Sequence, residues 1–68
     1  MTVKQLRQAL FNITNQALTV KELRWELFQS SEDHSELRLA LFNITNQALT
    51  VKELRSQLFD IEDQNATI

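Results

Sequence analysis

The stretch ALFNITNQALTVKELR runs from Ala9 to Arg24 and recurs without a single change from Ala40 to Arg55, 31 residues further on. Surface positions drift after a natural duplication. An identity of 16 consecutive residues within a 68-residue chain therefore marks a very recent duplication or a sequence assembled by design. Inside the repeat lies a finer one. Leu-Arg-x-x-Leu-Phe appears at Leu6–Phe11, Leu23–Phe28, Leu37–Phe42 and Leu54–Phe59, and Thr-Val-Lys opens three of the four units, at Thr2, Thr19 and Thr50. The chain reads as four copies of one short helical unit, grouped into two hairpin-like pairs.

Each unit begins with a helix-start signature. Thr19 with Glu22 and Thr50 with Glu53 have capping-box spacing, where the hydroxyl satisfies one free amide and the carboxylate reaches back for another. Leu18 with Leu23 and Leu49 with Leu54 occupy the positions of a hydrophobic staple. Thr2 with Gln5 repeats the arrangement, and Asp33 with Glu36 is the third unit's version. The chain has no glycine and no proline. The stops therefore fall to Asn12-Ile13-Thr14-Asn15 and its copy Asn43–Asn46, where asparagine is the best left-handed cap available. These signals predict helices at about 2–14, 19–29, 34–45 and 50–62. Gln29-Ser30-Ser31-Glu32-Asp33 is the polar linker between them.

Two long helices, 2–29 and 34–63, forming an antiparallel hairpin are the rival arrangement, since no breaker interrupts them. The phase of the apolar stripe opposes it. From Leu6/Leu10 to Leu23/Leu27 the shift of 17 residues turns the stripe by roughly 100° on a 3.6-residue helix, so one straight helix would face two neighbours. The expected fold is thus all-α: one domain over residues 1–68, a bundle of four short helices in two pseudo-symmetric halves of about 1–31 and 32–68. Val3, Leu6, Leu10 and Ile13 draw the core stripe, with Val20, Leu23 and Leu27, then Leu37, Leu41 and Ile44, then Val51, Leu54, Leu58 and Ile61 as its counterparts. Phe11 lies at the stripe's edge. The stripes are too short for a sustained coiled coil.

The copies differ at one informative place. Two residues after the shared leucine stand Gln8, Trp25, Leu39 and Ser56, on a side about 160–200° from the leucine stripe. The inner units are apolar there and the outer ones polar. Either Trp25, Phe28, Leu39 and Phe42 are buried within one chain, or they form an interface with a second copy. A 68-residue chain is marginal alone, and oligomerisation is the usual supplement when disulfides are absent. The expected partner is the protein itself, as a homodimer or higher homo-oligomer.

Composition excludes much else. Cysteine is absent, which removes disulfides and thiolate metal sites. A net charge of −2 with mixed signs offers no strong field for nucleic acid. No apolar run approaches the about 20 residues of a membrane span, nor is a signal-peptide core present, so the chain reads as cytoplasmic. His34 among Glu32, Asp33 and Glu36 offers at most a weak single-histidine site, and transition-metal sites need several convergent ligands; carboxylates at a solvated helix start explain the same residues. Asp33-His34-Ser35 holds the residue types of a hydrolase triad, but sequence neighbours lack triad geometry. Glu22 and Glu26 lie one turn apart without a cleft. Asn12, Asn43 and Asn65 begin glycosylation-type triplets that read as helix-end chemistry. No catalytic, cofactor or metal residue is expected.

One local resemblance bears on function. Leu18-Thr19-Val20-Lys21-Glu22-Leu23 is similar to the opening of the first helix in helix-turn-helix domains of excisionase-like DNA-binding proteins. Asn12 to Leu18 resembles the turn and recognition-helix start of phage repressors. The family prefers a small residue where Arg7 or Arg24 stands, and glycine where Phe11 or Phe28 stands. The resemblance implies a small DNA-binding regulator with Asn15, Gln16, Asn46 and Gln47 facing base edges.

Overall fold

The computed structural model describes all 68 residues and contains four helices: α1 (Val3–Phe11), α2 (Val20–Gln29), α3 (Ser35–Phe42) and α4 (Val51–Phe59). Two long helices are ruled out, and the bundle of four short ones is the fold. Three capping boxes form as the spacing predicts, at Thr2/Gln5, Thr19/Glu22 and Thr50/Glu53. In each, the hydroxyl oxygen accepts the backbone N–H three residues on, and that residue's side chain accepts the threonine's own N–H. The box expected at Asp33/Glu36 does not form. His34 is the residue before α3 and caps nothing, because the Asp33 carboxylate instead accepts the Ser35 N–H at 3.0 Å and closes a local turn.

Three of the helices stop three residues earlier than the propensities suggest, at Phe11, Phe42 and Phe59. No residue has a positive φ, so Asn12 and Asn43 are not left-handed caps; both stay near φ −78° or −77° and ψ −7°. The reason is a side chain from further along. The Gln16 amide donates to the carbonyls of Leu10 (3.0 Å) and Ile13 (2.6 Å). Gln47 repeats this on Leu41 and Ile44, and Gln64 on Leu58 and Ile61. The Leu10, Leu41 and Leu58 carbonyls also accept the backbone N–H three residues on, so glutamine reinforces that tight last turn and serves the Ile13, Ile44 and Ile61 carbonyls beyond it.

The loops that follow α1, α3 and α4 then dock on other helices. Of the four N–H groups that any helix start leaves unpaired, the capping box serves two. For α2, the other two go to the loop after α3: Val20 N–H to Leu49 O at 2.8 Å and Lys21 N–H to Gln47 O at 3.1 Å. For α4 the loop after α1 reciprocates, with Val51 N–H to Leu18 O at 2.8 Å and Lys52 N–H to Gln16 O at 3.1 Å. The chain ends copy the pattern: Val3 N–H binds Ala66 O, Lys4 N–H binds Gln64 O, and Ile68 N–H binds Met1 O. Two short antiparallel bridges result, Thr19 with Thr50 and Thr2 with Thr67.

This docking decides which helices pack together. α1 lies against α4 and α2 against α3, with α1 also touching α3. Each close pair thus takes one helix from each half of the chain. Between the pairs lies one core of ten residues, which includes Leu6, Leu10, Val20, Leu41, Val51 and Leu54 with essentially no exposed surface. The leucine stripe is the core face as predicted, although Ile13, Leu27, Leu37 and Ile44 are only half-buried and Ile61 is exposed.

Two consequences can be measured. Gln16→Leu and Gln47→Leu each strip partners from helix-end carbonyls, and each should cost about 1–3 kcal/mol in urea unfolding; Thr14→Ala, at an exposed position, should stay within about 0.5 kcal/mol. Hydrogen bonds to Thr19 hold the Glu22 carboxyl below its ordinary value of 4.5, chiefly the one from the backbone, and those to Thr50 lower Glu53. A depressed native pKa contributes stability above the unfolded value, and that stability is lost as pH falls from about 4.5 through the native values. The urea midpoint should drop on acidification through that window, and less so in a Glu22→Gln/Glu53→Gln variant.

Candidate functional site

Trp25 and Phe28 on α2 and Leu39 and Phe42 on α3 line one open groove. Their exposures are 62%, 59%, 64% and 63%, so burial within a single chain is overturned. The cause is geometric. These helices have only one neighbour surface to cover, and the leucine stripe already occupies it. Trp25 and Phe28 stack with ring centroids 5.9 Å apart and planes inclined by 29°, which holds the apolar surface as a preformed platform.

Arginines frame the phenylalanines. Arg24 lies over the Phe42 ring at 4.9 Å and Arg38 over the Phe28 ring at 4.8 Å. On the other helix pair Arg7 covers Phe59 at 4.9 Å and Arg55 covers Phe11 at 5.0 Å. Three of these arginines also donate to the helix-ending glutamine of the paired helix: Arg7 to Gln64 (2.7 Å), Arg24 to Gln47 (2.9 Å) and Arg55 to Gln16 (2.7 Å). No helix has a basic residue in its own last turn. The partner's arginine supplies that positive charge beside the negative end of the helix dipole. All four phenylalanines stay mostly exposed, so leucine, not phenylalanine, fills the core. Sequence reasoning missed this arginine–glutamine–phenylalanine set, although glutamine follows phenylalanine by five residues at Gln16, Gln47 and Gln64. The unit containing α2 has Asp33 there, and Arg38 accordingly has a ring and no glutamine.

The equivalent groove on α1 and α4 has the same shape of scaffold and a different surface. Gln8 and Ser56 replace Trp25 and Leu39, and Lys4, Arg7, Lys52 and Arg55 line it with Asp60 as the one carboxylate. Four of the chain's seven lysines and arginines meet there.

The remaining candidates do not assemble. Gln16 and Gln47 are half-buried with both ends of their amides engaged, so they cannot turn to base edges. The Asn15 and Asn46 side-chain oxygens accept N–H groups two residues on, from Ala17 and Ala48. His34 Nε2 stands 3.9 Å from Glu32 Oε2, and no group of three or more potential ligands is placed to hold a metal ion. The Asp33 carboxyl is lowered chiefly by the Ser35 backbone N–H, a turn's bond and no part of a triad. No helix is long and apolar enough to cross a membrane.

Comparison of the chain with family models, with curated proteins and with solved structures finds no match.

Proposed function

We propose that the protein is a non-enzymatic, self-associating helical protein, and that two copies meet through Trp25, Phe28, Leu39 and Phe42. One observation carries this reading: four large apolar side chains stand about three-fifths exposed on a single preformed face. At roughly 200 Å² for each residue, they leave on the order of 500 Å² of apolar surface per chain, the upper end for a monomer. Joining two such faces removes about 1,000 Å² from water, the threshold for a specific interface. The face mixes Lys21, Arg24 and Arg38 with Glu22 and Glu26, so it offers charges of both signs beside the apolar surface to a second copy turned by a two-fold axis. The α1/α4 face supports the same reading from the other side. It has the same backbone and phenylalanines, but polar residues at the two deciding positions.

A Trp25→Gln/Leu39→Ser variant makes the α2/α3 face resemble the other one without touching the core. Sedimentation equilibrium over a concentration series should show the wild type as a dimer and the variant with a dissociation constant raised roughly 100-fold or more. An unchanged mass would sink the interface.

The nucleic-acid reading keeps one supporting observation, the four cations of the α1/α4 groove. It therefore moves from the loops, where the helix-turn-helix resemblance put it, to that groove. Titration with duplex DNA at about 50 and 200 mM salt is decisive: phosphate contacts give a steep fall in affinity with salt, and absence of binding at the lower salt removes this reading.

A further inference from the structure

We infer that the halves 1–31 and 32–68 are exchangeable between copies, so that the protein can form a swapped dimer in which each half packs against the opposite half of a second chain. Every hydrogen bond between distant segments crosses from one half to the other. This holds for Val3 to Ala66, Lys4 to Gln64, the four bonds around Thr19 and Thr50, and Ile68 to Met1. It holds equally for the three arginine–glutamine bonds and all four arginine–phenylalanine contacts. The closely packed helix pairs, α1 with α4, α2 with α3 and α1 with α3, do the same. Neither half packs chiefly against itself. The folded chain is in effect a dimer whose two members are joined by residues 30–34.

That internal interface is self-complementary in the strict sense of a two-fold contact. Val20 binds Leu49 and Val51 binds Leu18, both at 2.8 Å. Arg24 binds Gln47 and Arg55 binds Gln16. Each residue named lies in one of the two identical segments, 9–24 and 40–55. Contacts between i and j therefore recur between their copies, as in a homodimer. A segment 9–24 presents to another molecule the same surface that it presents to its own 40–55. Nothing chemical distinguishes the chain's own half from a neighbour's.

The linker is what favours the closed monomer. Its own hydrogen bonds are local, Glu32 N–H to Ser30 Oγ at 3.2 Å and Ser35 N–H to Asp33 Oδ1 at 3.0 Å, so opening it breaks no bond between the halves. Its advantage is an effective concentration on the order of 1 mM for a short connection. Exchange should set in when chains refold near that concentration. The swapped dimer should then persist on dilution, because separating it requires unfolding the core.

The test uses the Trp25→Gln/Leu39→Ser variant, so that surface association and exchange are read separately. The protein is unfolded in guanidinium, refolded at about 1 mM and at about 1 µM, and both samples are sized after dilution to one common concentration. A dimer in the first sample only, at least ten times its fraction in the second and with the same circular dichroism, is expected. Monomer from both refolding concentrations overturns the proposal. Deletion of Ser30 to His34, which joins Gln29 directly to Ser35, supplies a second readout. With too little chain left to fold back, the variant should be a helical dimer at every concentration. A folded monomer refutes exchange, and so does an unfolded variant, since the swapped form retains every contact between the halves.

Discussion

The structure depends on one reciprocal contact: a loop that has just left one helix gives its carbonyl oxygens to the first two amides of another. Helices of eight to ten residues are too short to persist alone in water, since nucleation costs more than so few bonds return. Here α1, α2 and α4 have all four leading amides satisfied, two by the capping box and two by a docked loop. The same loops place a glutamine back under the helix they left, and that glutamine accepts an arginine from the helix they dock on. One loop thus closes the end of the helix it leaves and the start of the helix it docks on. Local and long-range structure form together.

The third unit shows what happens without it. Between α2 and α3 the chain has Ser30-Ser31-Glu32-Asp33-His34 in place of the docking loop. As a result α3 is the shortest helix, starts without a side-chain cap, and sends Arg38 over Phe28 with no glutamine to meet. This break in the pattern is also the only connection that lies wholly outside the bonding between halves, which makes it both the weakest capped end and the hinge.

The two outward faces follow from the same economy. Each helix spends its leucine stripe on the shared core, so whatever stands opposite is left to solvent. Both faces carry phenylalanines and cations, but α1 and α4 add glutamine and serine where α2 and α3 add tryptophan and leucine. Identical scaffolding with different surfaces separates what holds the fold together from what the fold presents. The proposed association and the proposed exchange of halves are told apart at Trp25 and Leu39, which make no hydrogen bond and no arginine contact between the halves, whereas Phe28 and Phe42 belong both to the outward face and to the arginine contacts that cross the halves.

Much of this was legible in the chain alone. The repeat, four helices in place of two, three capping boxes and the leucine core all follow from spacing and side-chain chemistry within a few residues, because caps and amphipathic stripes are local. The exposed set Trp25, Phe28, Leu39 and Phe42 was legible as a group, from the positions at which copies differ; whether it faced inward or outward was not. Helix ends at Phe11, Phe42 and Phe59, the role of Gln16, Gln47 and Gln64, and the pairing of α1 with α4 and α2 with α3 were decided by tertiary structure. The pairing rests on bonds between residues up to 57 positions apart, and the glutamines at the helix ends, though only six residues from the carbonyls they serve, are held there by those distant arginines; no propensity of a short segment carries that information. A repeat determines that its copies are alike. Only the folded chain decides which copy meets which, because carbonyls and amides left unpaired by one segment must be matched in space by another.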